Sequence, residues 1–109
     1  MQIDFDSMEL TSIPNFKGGE GITDAKMFFD GMNRIMLAKV RPDSSIGLHT
    51  HDSGSEIMFF LSGTGVAVCD GKQEDVSAGK CHYCPKGSSH TVVNTGRDDL
   101  VMYCVVSQQ

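Results

Sequence analysis

The apolar residues of this chain come in short runs broken by glycine, aspartate and proline, and no segment keeps a helical apolar period over two full turns. Ala25 to Phe29 reads as a strand closing at the hairpin dipeptide Asp30-Gly31, and Asn33 to Val40 as its return, ended by Arg41-Pro42-Asp43. Ile57 to Leu61, Val66 to Cys69, a strand ending at Ala78-Gly79, Lys80 to Cys84, Thr91 to Val93 and Leu100 to Val106 continue the rhythm, with Gly63-Thr64-Gly65, Asp70-Gly71 and Pro85-Lys86-Gly87 as turns. Ile3 to Ile13 reads as an edge strand or arm, so residues 1–24 are expected to flank the main body, and Lys17 to Gly21 reads as a flexible turn. Roughly eight to ten short strands with turns every 8 to 12 residues predict an all-β sandwich or small barrel. No linker, repeat or low-complexity tract divides the 109 residues, so one domain is expected.

Alternation assigns the faces. Glu56, Met58 and Phe60 fall on one side of a strand and Ile57, Phe59 and Leu61 on the other. Both sides are apolar, so both need cover, the inner from the barrel and the outer from a second sheet or a second subunit. A homodimer is the expectation.

Composition narrows the partners. A formal charge of -5 with no basic stripe argues against nucleic acid or an anionic membrane surface and leaves a small-molecule ligand or substrate. No apolar run approaches the ~18 residues of a membrane span, and the Met-led N-terminus lacks the basic and apolar regions of a signal peptide, so a cytoplasmic protein is expected. Cys69, Cys81, Cys84 and Cys104 are then read as reduced thiols without disulfides.

The candidate chemistry lies in Gly47 to Gly63, GLHTHDSGSEIMFFLSG. His49 and His51, two apart on an extended chain, project from one face about 7 Å apart. Glu56 heads the following apolar run, where a buried carboxylate needs a partner, and a return strand after Pro85-Lys86-Gly87 would bring in His90. Three imidazoles and a carboxylate make a plausible mononuclear site, with imidazole suiting Zn, Cu, Fe and Ni and the carboxylate keeping Mn in play.

These residues resemble the cupin superfamily, whose first motif is written G-x5-H-x-H-x(3,4)-E-x6-G and whose second is G-x5-P-x-G-x2-H-x3-N. His49, His51, Glu56 and Gly63 fit the first; Gly79, Pro85, Gly87, His90 and Asn94 fit the second at every fixed position. The one departure is the leading glycine, which falls at Asp43, with Gly47 nearby but off the spacing. Together the motifs run from 43 to 94. The resemblance implies a double-stranded β-helix (jelly-roll) barrel of the small single-domain kind. It implies one divalent transition metal (Fe, Mn, Ni, Zn or Cu) on His49, His51, Glu56 and His90 at the base of an open pocket. The function implied is a metal-dependent enzyme acting on a small organic substrate, with a lean to dioxygenase-like oxidation; sugar isomerase, epimerase or lyase chemistry and non-catalytic ligand binding are the alternatives.

Each feature has a plainer reading. The histidines could be polar strand residues of a barrel that has stopped binding metal, and Glu56 a salt-bridge or supporting carboxylate. Cys81-His82-Tyr83-Cys84 could hold zinc or act as a redox pair, but spacing of three on a strand sends the sulfurs to opposite faces, and buried apolar cysteines are the expectation. The catalytic residues are unknown. His82 could line the pocket as a proton-transfer group or pack as a core histidine, while Tyr83 and Tyr103 could reach substrate or serve packing. Met36, Met58 and Met102 could give the pocket an apolar wall. Asn94 is expected to bond backbone at a turn.

Overall fold

The computed structural model describes all 109 residues, as ten antiparallel strands in two sheets with no α-helix. The strands are β1 Thr11–Pro14, β2 Ile22–Phe29, β3 Asn33–Val40, β4 Ser45–Thr50, β5 Gly54–Ser62, β6 Thr64–Cys69, β7 Lys72–Ser77, β8 Cys81–Cys84, β9 Ser89–Asn94 and β10 Leu100–Gln108. One sheet has six strands in the order β1-β2-β3-β10-β5-β8; the other has four in the order β4-β9-β6-β7. The two wrap into a double-stranded β-helix, the expected jelly roll. The strands expected from Ala25 onward are present, several extended by one to three residues, whereas of Ile3 to Ile13 only the end joins a strand, β1, and Phe5–Ser7 forms a 3-10 turn.

The core fills one end of the barrel. Thirteen buried residues form it, among them Ala38 and Val40 of β3, Met58 and Phe60 of β5, Val92 of β9 and Leu100 and Met102 of β10. Alternation holds on β5, where Glu56, Met58 and Phe60 are buried while Ile57, Phe59 and Leu61 are exposed. Moving along each strand from the core, the inward row turns polar at one level: Glu56 on β5, His90 on β9, and Arg34 beyond Met36 on β3. The barrel is an apolar plug beneath a polar chamber.

Two turns depart from the sequence reading. Asp43, where the motif has glycine, has φ 60°, so the turn keeps the left-handed conformation and an aspartate, which tolerates it, replaces the glycine. Gly47 answers a different need. A Cβ there would come within 2.3 Å of the Lys17 carbonyl oxygen, and one on Gly19 within 2.2 Å of the Ser45 carbonyl oxygen. The segment read as a flexible turn is thus a 3-10 turn at Phe16–Gly18 pressed backbone to backbone against the strand that carries His49.

Asn94 locks the far end. Its side-chain amide donates to the carbonyls of Val40 and Asp98, and its oxygen accepts from the Gly96 amide. It therefore ties the β9–β10 turn to β3, in the role expected of it. Replacing Asn94 by Ala strands the buried Val40 carbonyl, and we expect a loss of about 2–3 kcal/mol in urea unfolding; a loss under about 0.5 kcal/mol would show that water replaces these bonds.

Candidate metal centre

Four side chains from three strands and one loop meet above the core. His49 is on β4, His51 just beyond its end, Glu56 on β5 and His90 on β9. His49 and His90 sit opposite each other across the β4–β9 ladder, and a register shift between Ile46 and His49 sets the aim of the first histidine. Each residue offers one ligand atom, and these atoms all lie within 4.8 Å of one another. His90 Nε2 stands 3.0 Å from His51 Nε2 and 3.1 Å from His49 Nε2, and Glu56 Oε1 lies 2.8 Å from His90 Nε2, 3.0 Å from His51 Nε2 and 3.7 Å from His49 Nε2.

The protons show why a cation fits. His49 Nδ1 lies 2.7 Å from the Gly47 carbonyl oxygen, which can only accept, so in the neutral ring Nδ1 carries the hydrogen and Nε2 is bare. His90 Nδ1 faces His82 Nε2 at 3.0 Å, and His82 Nδ1 faces Glu74 Oε1 at 2.5 Å. The Glu74 carboxylate accepts, so His82 donates through Nδ1, accepts through Nε2 from His90 Nδ1, and leaves His90 Nε2 bare as well. Bare nitrogens and a carboxylate oxygen then face one another at about 3 Å. A shared cation satisfies acceptors so placed, while His51, whose Nδ1 has no fixed partner, can also donate to Glu56 through Nε2. Five pairs of these ligand atoms stand 2.8–3.7 Å apart, close enough for one ion to be shared among them.

Electrostatics agrees. Burial alone would push the Glu56 carboxyl up, but the three imidazoles hold it far below the usual carboxylate range, so it is charged. Burial pushes His90 down, against the pull of Glu56, favouring the neutral ring that a metal requires.

The centre opens into a cavity of about 260 Å³. Its walls include Met36 and Met58, Val106, Arg34 and, at the mouth, Asp52. Met36 and Met58 thus form the apolar wall the sequence suggested, while Met102 does not, since it lies deeper in the core. The other candidates are corrected by strand parity. Tyr83 is 54% exposed on the outer face of β8, and Tyr103 is exposed and packed against Phe5, so neither reaches the cavity. His82 is 1% exposed but lies behind His90 rather than on the cavity wall. Cys81 and Cys84 do point to opposite faces, but only Cys84 is buried; Cys81 is exposed, not core. Burial, with Cys69 and Glu56 adding to it, pushes the Cys84 thiol up to about 12, which makes it an inert packing group.

Arg34 and Glu74 escaped the sequence reading. Arg34 shares the parity of Met36, so the two-residue period could have found it. Glu74 lies in the mostly exposed β7, and nothing local marks it.

The cupin domain family model matches residues 36–106. Over 108 residues the chain is 34% identical to the oxalate-binding protein of Thermotoga maritima, covering 92% of this chain and 89% of that protein. A T. maritima crystal structure described as a predicted oxalate decarboxylase superposes over the whole of both chains with TM-score 0.93 and 30% identity. The cupin domain of a Schizosaccharomyces pombe protein follows 99% of this chain and 74% of its own with TM-score 0.82 at 9% identity, a likeness of fold alone.

Elemental analysis of the untagged protein is expected to find about one equivalent of Mn, Fe, Ni, Cu or Zn, and the His49→Ala, His51→Ala double variant to hold none. If the parent protein stays empty even after reconstitution, the centre binds no metal.

Proposed function

Starting from the fact that the chain belongs to the cupin family, we propose that it holds one divalent transition metal on His49, His51, Glu56 and His90 and captures a small carboxylate anion of the oxalate class there. The observation that carries this reading is Arg34. It shares an inward row with Val106 and Glu56 across β3, β10 and β5, two strand spacings or about 10 Å from the carboxylate ligand. Its guanidinium lies 5.0 Å from the Phe29 ring centroid, and its Nε is buried with no hydrogen-bond partner. A buried donor without an acceptor costs about 1–3 kcal/mol, which an anionic ligand would recover. The name of the T. maritima relative supports the same ligand class.

When bound, the ion would act as a Lewis acid that attracts and orients a carboxylate. The chain does the rest: Arg34 meets negative charge across the cavity, and Met36, Met58 and Val106 exclude water from the bound anion's flank.

Turnover of the captured acid is the second reading, favoured by Asp52, an exposed carboxylate at the mouth that could exchange a proton. Dioxygenase-like oxidation, the sequence-based preference, and lyase or isomerase steps all fit this ligand set, since the fold does not choose among them.

Calorimetry on metal-loaded protein is expected to show oxalate binding that vanishes in the metal-free form. Arg34→Gln should weaken it at least tenfold with metal content unchanged, the loss of a charged hydrogen bond. Full metal loading with no binding of oxalate or its short homologues would sink the proposal; metal-dependent oxygen uptake or carbon dioxide release with oxalate would establish turnover.

The homodimer belongs to this proposal. On the outer face of the six-stranded sheet the register sets Tyr83, Ile57, Val105, Ile35 and Phe28 in one row, with Phe59, Tyr103 and Leu37 beside it. Phe59 is 48% and Ile57 42% exposed, a contiguous apolar sheet face that a second copy would cover. The unpaired thiols fit the cytoplasmic setting proposed with it. Sedimentation equilibrium should give a dimer that Phe59→Asp converts to a metal-competent monomer; a monomeric parent protein would refute this.

A further inference from the structure

We infer that Glu74 and His82 are positioning residues that set the tautomer of His90 from outside the metal site. The inference rests on the reading of His49, His51, Glu56 and His90 as a metal centre. The pair lies at the seam of the barrel, where β7, at the edge of the four-stranded sheet, is followed by β8, at the edge of the six-stranded one. Glu74 on β7 reaches across that seam to His82 on β8, and His82 in turn meets His90 on β9.

Exposure falls steeply along the chain of contacts. The Glu74 side chain is 52% exposed, His82 1% and His90 not at all. Both His82 nitrogens are satisfied, which is what allows an imidazole at an inward, apolar strand position. The His82 and His90 rings lie within 15° of parallel, so the hydrogen bond between them runs close to both ring planes.

The order of donors follows from the end that meets solvent. A carboxylate only accepts, so it holds the hydrogen of His82 on Nδ1. His82 Nε2 must then accept, which holds the hydrogen of His90 on Nδ1 and keeps the His90 Nε2 lone pair aimed at Glu56, His51 and His49. No ring changes its net protonation. Without Glu74, His82 can donate through Nε2 instead, and His90 must then carry its hydrogen on Nε2, inside the ligand cluster. A histidine ligand held this way is oriented and made more basic by its outer partner, and losing such a partner typically costs 10–100-fold in metal affinity.

Glu74 is half exposed, so its variants should fold, which makes it the place to test. We would measure zinc affinity by chelator competition, and read the His82 and His90 tautomers of the same proteins in their metal-free form by proton–nitrogen correlation spectra. In the parent protein both rings should carry hydrogen on Nδ1. Glu74→Ala should lose 10–100-fold in zinc affinity and show His82 with a growing share of the Nε2–H form. Glu74→Gln, whose amide oxygen still accepts, should restore most of the affinity and the parent tautomer. If Glu74→Ala binds zinc like the parent, or lowers only the melting temperature while both tautomers hold, the inference is overturned. If the parent itself binds no zinc or other divalent metal, the reading beneath it fails first, and that result is distinguishable because it needs no variant.

Discussion

One buried negative charge organises this molecule. Glu56 is 4% exposed, at the level where the barrel stops being apolar, and a carboxylate there is tolerable only because three imidazoles surround it. Two of these imidazoles, as neutral rings, are not free to donate through Nε2. Gly47 fixes the hydrogen of His49, and the Glu74–His82 pair fixes that of His90, in both cases on the nitrogen facing away from Glu56. The fold thus collects acceptors around one point and spends its hydrogen bonds keeping them acceptors. A protein that needed only to neutralise Glu56 would leave those nitrogens free to donate.

The rest of the barrel makes that convergence possible. The four groups come from β4, the loop after it, β5 and β9, which belong to two different sheets, so their meeting depends on how tightly the sheets close. Below the site, Phe60, Met58, Val92, Leu100 and Met102 pack the gap between sheets without exposure. At the far end Asn94 binds the β9 turn to β3, and beside the site the glycine contact between Gly19, Gly47 and the Lys17 carbonyl seats the N-terminal segment on β4. Gly19, Gly47 and the motif asparagine therefore hold the shape in which the four side chains meet, and the chemistry sits elsewhere.

What could be read from the sequence follows the range over which each signal acts. The β5 faces were legible because alternation is local: Glu56, Met58 and Phe60 could only share a side. The convergence of His49, His51, Glu56 and His90 was legible because motif spacing records the turns that join the strands. Even the departure at Asp43 was visible, although its meaning was not, since only a φ of 60° shows that aspartate fills the glycine conformation. For Tyr83 and Tyr103 substrate contact and packing both stayed open, because their parity relative to the cavity depended on registers the sequence does not state. Glu74 was illegible for a stronger reason. Its partner lies in the other sheet, and an acidic residue on an exposed edge strand looks like any solvated charge until the seam closes over it.

Charge at the site runs against charge on the chain. The protein carries -5 overall, a poor starting point for attracting an anion. Within the cavity the balance differs. A divalent ion against the single ligand carboxylate of Glu56 leaves one positive charge, and the guanidinium of Arg34 on the same inward row adds another, with only Asp52 at the mouth opposing them. Bound ions are the largest local charges in such a site, and at distances of a few ångströms in partly desolvated surroundings they outweigh surface carboxylates separated by water and salt. An anion would meet repulsion outside and attraction inside. On the proposed reading, metal content would set the sign of the cavity: with the ion the site would favour carboxylates, and without it Glu56 and Asp52 outweigh Arg34 and would repel them.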